Sequence, residues 1–180
     1  MPISKPAVGE YSAFYQGYLD RVAAEPRLRP VLARQLTAFE ALAGLDEARA
    51  SHRYADGKWS VREVVGHLAD AERIFAYRML RIARGDATPL AGFDENVYVA
   101  AAGFERRPMV EVAGELRDVR QATLSLLRSF DESMATREGR ANETRVTLRA
   151  IAWIVAGHAA HHLAVLGERY GVSVAEPGTR

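Results

Sequence analysis

Three of the five histidines in this chain, His158, His161 and His162, fall inside one short apolar segment near its end. On a helix, positions i and i+4 stand one turn apart on the same side. His158 and His162 therefore share a face, and that face continues the stripe Ile151, Val155 and Leu166 that a bundle would bury. Imidazoles on an apolar face are costly unless each ring nitrogen finds a partner. A divalent metal ion is one such partner and hydrogen bonds within a core are another; spacing alone leaves both readings open. A catalytic metal geometry takes a third protein ligand. His67 is the best-placed candidate, on a side shared with Val64, Ala71 and Ile74. His52 reads as a loop residue. His161 is rotated from His162 by about 100°, which suits an outer donor, an alternative ligand or a surface residue equally. The chain has no cysteine, so any metal must take nitrogen or oxygen ligands.

Several established metal motifs are excluded. Position 159 is alanine, so the zincin pattern H-E-x-x-H lacks its general base. No glutamate stands three residues before any histidine, which rules out the di-iron carboxylate pattern. Charged residues near the histidines have two readings each. Glu63 and Asp70 flank His67 along its helix and can orient a ligand or carry a proton; equally, Glu63 serves a helix cap and Asp70 is solvated. Arg78 and Arg81 can hold a carboxylate of a substrate or cosubstrate, although arginines so placed are more often surface ion pairs. Asp94, Glu95 and Asn96 follow a long loop and are candidates for the mouth of a pocket. Gly66 and Gly157 each directly precede a histidine, either to let a neighbour approach closely or as merely tolerated glycines.

The elements that position these residues are helical. Apolar periodicity predicts a helix over Gly9 to Ala24, stopped by Pro26, and a second from Leu28 to Ala43. The third is the clearest: Ser60 and Glu63 form a capping box, Trp59 and Val64 occupy the staple positions, and Gly85 ends it. Asp94 caps a short helix through Ala102, and Pro108 introduces another over Met109 to Phe130. Asp131 to Arg145 reads as polar and irregular, with no convincing strand anywhere. The last helix starts at Thr147 and ends at Tyr170 before Gly171. Four long amphipathic helices predict a bundle.

Composition narrows the function classes. The 180 residues suit one domain, and 24 basic against 23 acidic residues leave a net charge of only +1, which offers no field for nucleic acid or an anionic membrane. The N-terminus has no signal-peptide pattern. The apolar stretch Leu148 to Leu166 carries Arg149 and three histidines, which suits a buried core helix better than a membrane span. The cytoplasm is the expected location.

Two runs carry a resemblance: Trp59-Ser60-Val61-Arg62-Glu63-Val64-Val65-Gly66-His67-Leu68-Ala69-Asp70, and Ala152-Trp153-Ile154-Val155-Ala156-Gly157-His158-Ala159-Ala160-His161-His162. They are similar to the two signatures of the DinB/YfiT-like superfamily. Arg81 to Asp86 and Gly92 to Asn96 resemble it in between. The resemblance implies an all-α, four-helix bundle of DinB/YfiT-like type with extra short helices, in one domain over residues 1–180. It implies one divalent ion, zinc or nickel, held by His67, His158 and His162, with positions left open. Members are often dimers, so a homodimer is compatible. Relatives include S-transferases and an isomerase that use bacillithiol or mycothiol. The expected function is thus a metal-dependent enzyme that activates a low-molecular-weight thiol, or water, for transfer to a small electrophilic substrate. The alternative is a non-catalytic metal-binding bundle with a structural or interaction role.

Overall fold

The computed structural model describes residues 3–174. Seven α-helices occur among them: α1 (Gln16–Asp20), α2 (Leu28–Leu42), α3 (Glu47–Ser51), α4 (Val61–Ala83), α5 (Glu95–Ala102), α6 (Met109–Arg128) and α7 (Leu148–Tyr170). A two-stranded antiparallel hairpin, β1 (Glu138–Ala141) and β2 (Thr144–Thr147), precedes α7.

The four long helices close into a ring of contacts. α4 packs against α6 and α7, and α2 packs against the same two. Chain neighbours α2 and α4 therefore lie across a diagonal, as do α6 and α7. An up-and-down bundle would instead place consecutive helices side by side. The arrangement brings α4 and α7, the two histidine-bearing helices, into direct contact.

Local signals explain why these two helices start where they do. The Ser60 hydroxyl accepts from the Glu63 amide at 3.2 Å while the Ser60 amide donates to the Glu63 carboxylate at 2.6 Å, a closed capping box. The Thr147 hydroxyl accepts from the Ala150 amide at 3.2 Å, and Gly171 ends α7 in the left-handed conformation at φ 65°. By length and mean hydropathy α7 is apolar enough to cross a membrane, yet 67% of its most apolar window is buried inside this protein. It is one of the core helices of the bundle.

One buried polar chain ties the four helices together. Arg120 on α6 donates through Nε and Nη2 to both carboxylate oxygens of Glu72 on α4, at 2.7 and 2.8 Å. Its Nη1 donates to Gln35 Oε1 on α2 at 2.8 Å, and Gln35 Nε2 donates to the Ala156 carbonyl on α7 at 2.8 Å. The Arg120 guanidinium also lies 4.8 Å from the centre of the Phe39 ring.

Three stretches differ from the sequence reading. An unbroken helix from Gly9 to Ala24 does not form: Ser12 caps a single 3-10 turn, Ala13–Tyr15, which leads into the five-residue α1. Phe14, Tyr15 and Tyr18 line a cavity, while Tyr11, Tyr15 and Tyr18 also pack against the core. A hairpin starts inside the segment read as irregular and runs on to Thr147, and its turn residues Asn142 and Glu143 sit at φ 49° and 61°. Tertiary contacts hold it in place: the Leu90 amide donates to the Arg140 carbonyl at 2.9 Å and the Asn142 amide donates back to Leu90 at 3.0 Å. α3, capped by Asp46, was also not evident in the apolar pattern.

Gly157 explains how α1 reaches α7. A Cβ there would lie 2.6 Å from the Tyr18 carbonyl carbon, closer than side chains tolerate, and the obstacle is backbone. Gly157→Ala is therefore expected to push α1 off the bundle, at a cost of about 1–3 kcal/mol. A thermal melt should show the loss, together with changed Tyr18 fluorescence or chemical shift; an unchanged melt would mean that α1 is not packed as described. Gly66 makes room in the same manner for the Phe104 ring, whose Cδ1 would lie 2.6 Å from such a Cβ.

Candidate metal centre

His67 projects from the second turn of α4, and His158 and His162 from successive turns of α7. The contact between those helices brings the three together. His67 Nε2 lies 3.1 Å from His158 Nε2, and ring centroids are separated by 5.1 Å (His67 to His158), 4.9 Å (His67 to His162) and 4.6 Å (His158 to His162). Each residue offers a ring nitrogen such that all three atoms lie within 4.8 Å of one another. Nitrogens bound tetrahedrally to one zinc ion stand about 3.3 Å apart, given metal–nitrogen bonds of about 2.0–2.1 Å. The trio is thus near the size that one ion requires.

Electrostatics and bonding fit the same use. Burial pushes the imidazolium pKa of His67 down to about 4, and that of His162 to about 3 with help from its histidine neighbours. Burial, then the other imidazoles, also holds His158 well below its ordinary value. All three are neutral at pH 7, the form that ligates metal. His162 Nδ1 is buried with no hydrogen-bond partner. An orphaned buried nitrogen is expensive in a closed core; beside two other convergent imidazoles it fits a divalent cation.

The three histidines line a cavity of about 320 Å³. Its wall is largely aromatic. The Trp59 ring lies 4.9 Å from His67, and the Tyr18 and Phe75 rings lie 5.2 and 5.7 Å from His158. Phe14, 72% exposed, and Phe93 also line it. Arg78, Glu95 and Asn142 supply its polar lining. Burial, and secondarily the charge of Glu95, raises the Tyr18 phenol above its ordinary pKa.

The DinB superfamily model matches residues 32–166 of the chain. The chain belongs to the DinB superfamily. YfiT from Bacillus subtilis, described as a probable metal-dependent hydrolase with an unusual four-helix bundle topology, superposes with a TM-score of 0.67 at 19% identity. That alignment covers 94% of this chain and 95% of YfiT, and it shows that the two share a fold. No curated protein matches the chain in sequence.

Against this DinB framework, the other residues singled out in the sequence fall in different places. Arg78 lines the cavity; Arg81 does not, and is instead paired with Asp86 and Tyr77 on the surface. Glu63 is engaged by the capping box and by Arg53 at 2.6 Å. Asp70 lies 3.5 Å from Arg73, outside the cavity, its pKa raised by burial. Of the candidates for the mouth, Glu95 lines the cavity, while Asp94 accepts from the Asn96 and Val97 amides as the α5 cap. His161 packs its ring 5.3 Å from Tyr18 and is not part of the converging trio. Sequence reasoning missed Tyr18 and Asn142 as site residues. Tyr18 was visible only as one of several aromatics at helical spacing, and nothing local marked Asn142.

Proposed function

We propose that the chain is a metal-dependent enzyme in which His67, His158 and His162 hold one divalent cation, zinc or nickel, to activate water or a low-molecular-weight thiol against a small electrophilic substrate. The observation that carries this reading is the meeting of three neutral imidazoles, one with an orphaned nitrogen, at the wall of an accessible cavity. A purely structural ion would be better served by a closed fourth position. Bound there, the ion supplies Lewis acidity, lowering the pKa of water or thiol and stabilising negative charge as it develops.

The chain's own residues do the rest. Trp59 and Phe75 press on the histidines and limit bulk water around them. Tyr18 lines the cavity with its ring edge-on to His158. The likeness to YfiT supports water as the nucleophile, and the resemblance to thiol-dependent DinB relatives supports a thiol. In either case a homodimer in the cytoplasm is compatible with the reading.

One experiment separates the two nucleophiles. Protein reconstituted with zinc or nickel is assayed on 1-chloro-2,4-dinitrobenzene with and without added L-cysteine, and on p-nitrophenyl acetate without thiol. Metal-dependent S-arylation only in the presence of cysteine supports the thiol; metal-dependent ester cleavage alone supports water. Rates that ignore the metal, or survive in His158→Ala, would overturn the proposal.

A further inference from the structure

One charged group in the cavity is used neither by the candidate metal centre nor by the helix packing. Arg78 is 3% exposed, yet it lines the cavity. Its Nη2 donates to the Ala91 carbonyl at 2.8 Å, and no carboxylate among the described residues pairs with it. Arginine stays ionised at any working pH, so burial leaves a cation that lacks an anion.

The position of Arg78 on α4 gives the cation a role. Four cavity-lining residues of that helix, His67, Ala71, Phe75 and Arg78, are spaced four, four and three apart. Such spacing places them in one stripe on one side of the helix. About 16 Å of helix rise separates the ends of the stripe, but the His158 ring lies 5.7 Å from the Phe75 ring, so the histidine trio extends along the stripe to the level of Phe75, three residues from Arg78. The stripe runs from imidazole, over a small residue and an aromatic ring, to a cation. Glu95, on the rim, is the one carboxylate that lines the cavity among the described residues. Its charge opposes a multiply charged anion such as a phosphate ester and leaves a single carboxylate as the better match.

We propose that the substrate or thiol cosubstrate of this centre is a small carboxylic acid, whose reacting end lies at the three histidines, whose apolar body lies over Ala71 and Phe75, and whose carboxylate is bound by Arg78. This rests on the reading of the histidines as the reacting end. Arg78 is thereby a specificity-determining residue, and a guanidinium matches a carboxylate in a two-point fork.

Calorimetric titration of the zinc-loaded protein with benzoate and with benzamide tests the inference, and the zinc content of every sample is measured alongside. The wild type should bind benzoate at least about tenfold more tightly than benzamide, the scale of a charge-assisted hydrogen bond. Arg78→Met should abolish that preference at unchanged zinc content, and Arg78→Lys should keep part of it. Equal binding of the two compounds by the zinc-loaded wild type would overturn the inference while leaving the metal centre standing. Persistence of the preference in a folded Arg78→Met protein would overturn it too, since the carboxylate would then be bound elsewhere. An Arg78-dependent preference in protein that takes up no zinc would uphold the anion site and remove the metal centre instead.

Discussion

His158→Ala should lower affinity for zinc by more than about 100-fold, because even partners that only orient a ligand account for about 10- to 100-fold. His158 lies against both other histidines, with His67 Nε2 3.1 Å from its own Nε2 and the His162 ring centroid at 4.6 Å. Its removal leaves two ligands on different helices, too few for a stable site. Competition with a chromophoric chelator reads the change directly. His161→Ala is the matched control: it sits on the same helix but packs on Tyr18, outside the trio, and its zinc affinity should stay within about twofold of wild type. Equal losses in the two variants would contradict the assignment of the ligands.

The second large effect concerns stability. Arg120→Ala should destabilise the protein by about 3–5 kcal/mol, since it leaves the buried Glu72 carboxylate without its partner. Arg120 is fully buried and binds Glu72 at two points while also holding Gln35, which in turn binds the Ala156 carbonyl on α7. For a domain of this size the loss corresponds to a fall in melting temperature of roughly 10 °C or more. Replacing both charges, as Arg120→Met with Glu72→Leu, removes the unpaired ion and should recover most of that loss. A single variant that melts with the wild type would show that the chain of hydrogen bonds contributes little to holding the four helices.

What could be read from the sequence followed from how local the signals were. The Ser60–Glu63 box and the Thr147 and Gly171 caps act within a few residues, and helices α4 and α7 lie where they predict. His158 and His162 stand one turn apart for the same local reason. Other features depend on partners far along the chain. The hairpin has no apolar alternation, its turn contains no glycine, and its docking relies on Leu90. The N-terminal aromatics looked like a core stripe because periodicity does not distinguish a buried core from a cavity wall. Phe14 and Tyr18 line the cavity because Gly157 admits the Tyr18 backbone, a contact between residues far apart in sequence. Arg78 and Arg81 were equivalent in sequence; the Asp86 side chain that engages Arg81, and the Ala91 loop that covers Arg78, separate them.

Metal content per chain, measured by elemental analysis on protein purified without added metal or chelator and again after reconstitution, tests the central claim most directly. The account predicts close to one zinc, nickel or similar divalent ion per chain, lost in the His158→Ala/His162→Ala double variant. No bound metal in the wild type even after reconstitution, or the same metal content in the double variant, would contradict it and return the three histidines to the core of a helical bundle.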